Sequence, residues 1–122
     1  MNTDKTTLVI GASDNPERYS FLAINSLRKH QIPVKAIGRS ECTIADVEVD
    51  IQPIDYQNID TVTLYLSAAH QKGYYDYILS LHPRRIIFNP GTENPEFELL
   101  AQQQGIQTME ACTLVMLSVG NW

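Results

Sequence analysis

The chain has 122 residues, a hydrophobic content of 43% and a formal net charge of −5. This length is typical of one domain with a sizeable core, and we predict a single domain over residues 1–122. The negative charge argues against a general nucleic-acid surface, which is usually basic. Local binding of an anionic ligand stays open, because a positive patch can oppose the overall sign.

The patterns of strand and helix alternate along the chain. Apolar and β-branched runs predict strands at 6–10, 32–37, 61–66, 85–88 and 106–109, and the alternation at 47–51 is compatible with a further short strand. Between them, the spacing predicts helices at 20–30, 69–81, 95–104 and 112–118. Ser67 is the expected N-cap of the second helix, and Gly105 is expected to end the third.

Alternating strands and helices indicate βαβ units with right-handed crossovers. We therefore predict an α/β, Rossmann-like, doubly wound and mainly parallel sheet of about five strands, with helices on both faces. Ligands of such sheets lie beyond the carboxyl ends of the strands, at the topological switch point. The segments expected to line that crevice are 11–18, 38–41, 67–70, 89–92 and 110–113.

The loop after the first strand has the character of a phosphate-binding loop. Gly11 has no Cβ and lets the backbone approach a ligand, and N–H groups at the start of the next helix attract anions. The loop departs from the dinucleotide motif Gly-x-Gly-x-x-Gly at Ser13 and Pro16. An ordinary strand-to-helix turn without a ligand is the alternative interpretation.

A cation follows the second strand, where NAD-binding folds place an acidic residue. Gly38 leaves room for a base or ribose, and Arg39 suits a phosphorylated ribose because a guanidinium makes paired hydrogen bonds to phosphate. The candidate ligands are coenzyme A, with its 3′-phosphate, and NADP. Arg18 is within reach of a diphosphate. Alternatively, Arg39 pairs with Glu41 and Arg18 with a nearby carboxylate.

Evidence for catalysis is sparse. Cys112 lies near the start of the last helix, where a thiol can become nucleophilic, but Glu110 opposes this and a packed thiol is the alternative. Two cysteines and three scattered histidines give no metal-ligand spacing. Serine, histidine and aspartate form no recognisable catalytic set. We therefore expect a binding protein, with an enzyme that uses Cys112 as the rival interpretation.

The compartment is predicted from two features that the sequence lacks, a secretory signal and a membrane-spanning run. No apolar stretch near the N-terminus precedes a signal cleavage site, and no run reaches the ~18 apolar residues of a membrane span. We expect a cytoplasmic protein with reduced thiols that binds neither membranes nor nucleic acid. The sequence is also compatible with a homodimer.

Three segments together carry a family resemblance. Residues 11–20 are close to Gly-x-Ser-x-x-Pro-x-Arg/Lys-x-Ser, and 87–92 and 109–113 match a late loop and a terminal strand with its cysteine-containing turn. Over nearly its whole length the chain resembles the CoA-binding domain family of small, stand-alone bacterial proteins. That family is similar to the nucleotide-binding N-terminal domain of the succinyl-CoA synthetase alpha subunit.

The resemblance implies a Rossmann-like fold and a site for coenzyme A or an acyl-CoA, with NADP or another adenine nucleotide as the alternative. It implies no catalysis by the chain alone, since the synthetase's partner domains and phosphohistidine segment have no counterpart here. The residues it assigns to the diphosphate are Gly11, Ala12, Ser13 and Arg18, and Asn15 of the same loop is also expected to bind the cofactor. Those beside the adenosine and 3′-phosphate are Gly38 and Arg39; those on the pantetheine side are Ser67, Asn89, Pro90 and Gly91.

The chain departs from the family pattern at three points. Many members have Val-Asn-Pro and a basic residue after the second strand, where this chain has Ile37-Gly38-Arg39. Many have Phe-Arg after the middle strand, where this chain has Leu66-Ser67 and so lacks the arginine. Asn89 stands where many have glutamine. These positions bear on which ligand is bound.

Overall fold

A computed structural model describes residues 5–122. In that range the chain forms one seven-stranded sheet in the order β3-β4-β2-β1-β5-β6-β7. The strands are β1 Thr6–Ala12, β2 Val34–Gly38, β3 Cys42–Ile44, β4 Val47–Asp50, β5 Ile59–Leu64, β6 Arg85–Phe88 and β7 Gln107–Glu110. The helices are α1 Tyr19–Lys29, α2 Ala68–Gln71, α3 Tyr75–Ser80, α4 Pro95–Gln103 and α5 Thr113–Ser118, with a 3₁₀ turn at Lys72–Tyr74 between α2 and α3.

The strand order confirms the predicted α/β, Rossmann-like class. All neighbouring strands are parallel except β3, which runs antiparallel to β4 at one edge. The central strand β1 pairs with β2 on one side and with β5 on the other. Strands β2 to β4 therefore extend the sheet toward one edge and β5 to β7 toward the other, which makes β1 the topological switch point. The prediction of about five strands was low because β3 has three residues, too few for a periodic signal.

The core lies on both faces of the sheet, as alternate side chains of β1 illustrate. Leu8 and Ile10 pack with residues of α3 and α4 on one face, whereas Val9 packs with residues of α1 and α5 on the other. This is the period of two expected of a strand covered on both faces. No helix in residues 5–122 is long and apolar enough to cross a bilayer.

The helix predicted over residues 69–81 is instead broken into α2, the 3₁₀ turn and α3. Gly73 lies in the turn, and glycine is a poor helix former. Ser67 occupies the expected N-cap position, but its hydroxyl makes no capping bond and contacts Nδ1 of His70 at 2.8 Å. By contrast, Asn94 caps α4 by accepting from the Phe97 N–H.

No helix connects β4 to β5. Residues 51–58 cross in an irregular segment that is tied down by tyrosines. The hydroxyl of Tyr56 donates to Asp50, and that of Tyr77 donates to the carbonyl of Ile54 at 2.6 Å. Burial and the neighbouring carboxylate of Asp50 raise the pKa of Tyr56 well above its usual range. The segment therefore stays fixed without regular secondary structure.

Candidate functional site

A cavity of about 710 Å³ opens beyond the carboxyl ends of the central strands. This volume is typical of small-molecule sites, and the position is the switch point where doubly wound sheets bind ligands. Four of the five predicted segments contribute to its lining: 11–18, 38–41, 67–70 and 89–92. The segment 110–113 does not, because it follows β7 at the far edge of the sheet.

Two glycines shape the floor of the cavity. Gly11 has φ +94°, and a Cβ there would lie 3.0 Å from the carbonyl carbon of Tyr65. A Cβ on Gly38 would lie 2.3 Å from the carbonyl oxygen of Ala12. Glycine at both positions is thus required by the close approach of neighbouring backbone, before any ligand is considered.

The β1–α1 loop is held by its own hydrogen bonds. The N–H of Asn15 donates to Oγ of Ser13 at 3.1 Å, and Oδ1 of Asn15 accepts from the N–H of Glu17 at 3.0 Å. Asn15 therefore shapes the loop and does not itself line the cavity. Arg18 is the N-cap residue of α1 and makes no side-chain capping bond. Arg18 therefore offers no side-chain acceptor to the N–H groups of the first helical turn, and an anion could accept from them instead.

Two arginines line the cavity and are solvent-exposed, Arg18 and Arg39. Within residues 5–122 the ion pairs join Arg28 to Asp46 and Arg84 to Asp60. Hence the alternative interpretation, in which the two arginines pair with neighbouring acids, is not what the described structure shows. Asp14 also lines the cavity and partly offsets their positive charge.

Asn89 lies behind the lining and connects three elements. It is buried; its Nδ2 donates to Oγ1 of Thr63 at 2.6 Å and to the carbonyl of Leu64 at 3.0 Å. Its Oδ1 accepts from the N–H of Thr113 at 2.9 Å. These bonds join the end of β6 to β5 and to the start of α5. Asn89 thereby positions Pro90 and the following glycine, which do line the cavity.

Gln71 has a similar role that sequence reasoning missed. Its side chain is fully buried; Nε2 donates to the carbonyls of Leu66 at 2.9 Å and Thr92 at 2.7 Å, and Oε1 accepts from Asn94 at 2.9 Å. It thus joins the two loops that form one wall of the cavity. A signal was available, because Gln71, Tyr74 and the buried Ile78 follow one another at three- and four-residue spacing, which places them on one helical face.

Three aromatic and aliphatic side chains on that wall were also not anticipated, whereas Ser67 was. Tyr65, Leu66 and Tyr74 line the cavity together with Ser67 and His70. Burial raises the pKa of Tyr65 to about 12, although hydrogen bonding to two threonines opposes the shift. The phenol is therefore neutral at pH 7, and this wall combines aromatic and aliphatic side chains with the polar Ser67 and His70.

The cysteines are placed differently from expectation. Cys112 is the N-cap residue of α5 and does not line the cavity, whereas Cys42, at the start of β3, does. Burial, with a contribution from the charge of Asp14, raises the pKa of the Cys42 thiol. A raised pKa disfavours the nucleophilic thiolate. In residues 5–122 no three His, Cys, Asp or Glu side chains are grouped to hold a metal ion.

Comparisons with known proteins bear on the family and on the fold. The sequence model of the CoA binding domain matches residues 5–118. A solved structure of an uncharacterized protein is 41% identical, with 97% of this chain and 98% of that chain covered and a TM-score of 0.94. No protein of curated function matches significantly.

More distant structures show the same fold. A protein of Thermus thermophilus is 20% identical, with 97% of this chain and 90% of that chain covered and a TM-score of 0.84. A hypothetical protein of Pyrococcus horikoshii OT3 is also 20% identical, with 97% and 84% covered and a TM-score of 0.84. Since the family match extends over almost the whole sequence, this chain belongs to the CoA-binding domain family.

Proposed function

We propose that the chain binds coenzyme A or an acyl-CoA in the cavity beyond β1, β2 and β5, and that it catalyses no reaction by itself. The observation that carries the proposal is the pair of arginines, Arg18 and Arg39, which line this cavity without ion-pair partners in residues 5–122. Membership of the CoA-binding domain family supports a ligand with several phosphates.

The proposed pose follows the distribution of charge. The diphosphate lies between residues 11–13 and the start of α1, within reach of Arg18, because backbone N–H groups and the helix dipole favour anions there. Arg39, beside Gly38 at the end of β2, binds the 3′-phosphate of the adenosine. The pantetheine arm runs along Ser67 and the loop at Pro90 and Gly91. Asn15 and Asn89 hold these loops in place.

Calorimetric titration with CoA, dephospho-CoA, NADP and NAD at moderate salt tests the proposal. Arg39→Ala removes a hydrogen bond to a charged group, worth about 1.5–3 kcal/mol. Because Arg39 is exposed, we expect the lower end, a roughly tenfold weaker affinity for CoA. Dephospho-CoA, which lacks the 3′-phosphate, should be affected little.

Lys29→Ala is the matched control. It removes the same charge from the last turn of α1, roughly 15 Å along the helix from the cavity end. Equal losses for CoA and dephospho-CoA in Arg39→Ala would overturn the assignment of the 3′-phosphate. Tighter binding of NADP than of CoA would favour the alternative nucleotide. Binding of none of the four would refute the proposed function.

A further inference from the structure

The cavity has two unlike walls. The charged side chains Asp14, Arg18 and Arg39 come from the β1–α1 loop and from the segment after β2. The opposite wall, formed after β5, contributes Leu66 and Tyr74 beside the hydrogen-bonded pair Ser67 and His70, without a lysine or arginine. A ligand with phosphates at one end and an apolar group at the other would fit this separation.

The apolar wall continues out of the cavity along α3. The ring of Tyr74 lies edge-on to that of Tyr77, with 6.5 Å between centroids, and the hydroxyl of Tyr77 is fixed on the carbonyl of Ile54. Tyr74 and Tyr77 are half-buried, and Ile54 is 42% exposed. We call Leu66, Tyr74, Tyr77 and Ile54 the tyrosine strip. Its side chains remain partly accessible, with the irregular segment between β4 and β5 packed beside Tyr77.

We propose that the tyrosine strip binds the acyl chain of a CoA thioester, so that the preferred ligand carries an uncharged, apolar acyl group. The proposal rests on the proposed function, since the strip begins at Tyr74 inside the cavity assigned to CoA. Aromatic rings bury large apolar areas and contact methylene groups well. A carboxylated acyl chain would lose hydration against these rings, while both cavity arginines lie on the other wall.

Titrations with CoA, butyryl-CoA, hexanoyl-CoA and succinyl-CoA test the acyl preference. A fully buried methylene strengthens binding about fourfold. The strip is half-exposed, so we expect about twofold per methylene, or about fourfold from butyryl-CoA to hexanoyl-CoA. Succinyl-CoA has the same number of acyl carbons as butyryl-CoA and should bind more weakly than butyryl-CoA.

Variants show whether the gain in affinity from the acyl chain arises at the tyrosine strip. For each variant we compare the affinity for hexanoyl-CoA with that for CoA and take their ratio. Tyr74→Ser should bring this ratio close to one, whereas Tyr74→Phe, which keeps the ring, should preserve it. Ile54→Ser, at an exposed position, should lower the ratio and serves if Tyr74→Ser does not fold. Leu99→Ser, at a 57% exposed position on α4 outside the cavity lining, is the control and should not change it.

The outcomes separate the two proposals. Binding of CoA with no gain from the acyl chain would overturn the acyl assignment and leave the proposed function standing. Tighter binding of succinyl-CoA than of butyryl-CoA would also overturn it. Absence of binding by all four ligands would overturn both.

Discussion

Substituting Gly38 with alanine tests the packing that forms the cavity floor. Gly38 pairs with Ala12 in the register of β1 and β2, and a Cβ would stand 2.3 Å from the Ala12 carbonyl oxygen and 3.1 Å from Cγ1 of Val49. The nearer contact is with backbone, so no side-chain rotation relieves it. Overpacking costs about 1–3 kcal/mol and occasionally more. We expect Gly38→Ala to lower the free energy of unfolding by about 3 kcal/mol.

Two further Gly→Ala substitutions separate the steric contact from backbone strain. Gly91 has φ +93° with no atom within 4 Å of an added Cβ, so Gly91→Ala should cost about 1–2 kcal/mol from the left-handed conformation alone. Gly73 has neither a contact nor a positive φ, so Gly73→Ala should stabilise by about 0.4–1 kcal/mol through the unfolded state. The expected order of stability is Gly73→Ala, wild type, Gly91→Ala, Gly38→Ala.

Urea unfolding followed by far-ultraviolet circular dichroism measures this order. For a chain of this size about 1 kcal/mol corresponds to roughly 4 °C, so Gly38→Ala should also lower Tm by roughly 12 °C. A urea concentration at the unfolding midpoint that is the same for Gly38→Ala and Gly73→Ala would show that β1 and β2 separate at little cost in free energy. The spacing of β1 and β2 would then not demand glycine at position 38.

Two other predictions concern ionisable side chains. Cys42 lines the cavity and Cys112 does not, so saturating acetyl-CoA, which has no free thiol, should slow the alkylation of Cys42 by iodoacetamide several-fold and leave that of Cys112 unchanged. Peptide mass spectrometry measures both rates. Equal rates for Cys42 with and without ligand would contradict the proposed site. Burial and the nearby carboxyl of Glu110 raise the pKa of Glu98, so its contribution to stability is lost as pH rises through that pKa. Glu98→Gln should therefore raise Tm at pH 7 but not at pH 3, and equal shifts at both would contradict this.

Much of the fold could be predicted because its signals are local. Apolar runs marked the buried strands, and Gly105, which has a positive φ, marked the end of α4. The short antiparallel β3 was missed, since Thr43 is exposed and the strand has only three residues. The single helix at 69–81 was wrong because Gly73 lies in a 3₁₀ turn that separates α2 from α3.

Only the tertiary structure decided which polar side chains face the cavity. Asn89 and Gln71 are hydrogen-bonded behind its lining to residues more than 20 positions away, and Cys42 lines it whereas Cys112 does not. The sequence by itself determined the alternation of the longer strands and helices and the loops at the carboxyl ends of the strands, because periodicity, glycine and caps act between near neighbours. Which way a side chain in such a loop points depends on partners from other strands, whose distance along the chain hides them from any local pattern.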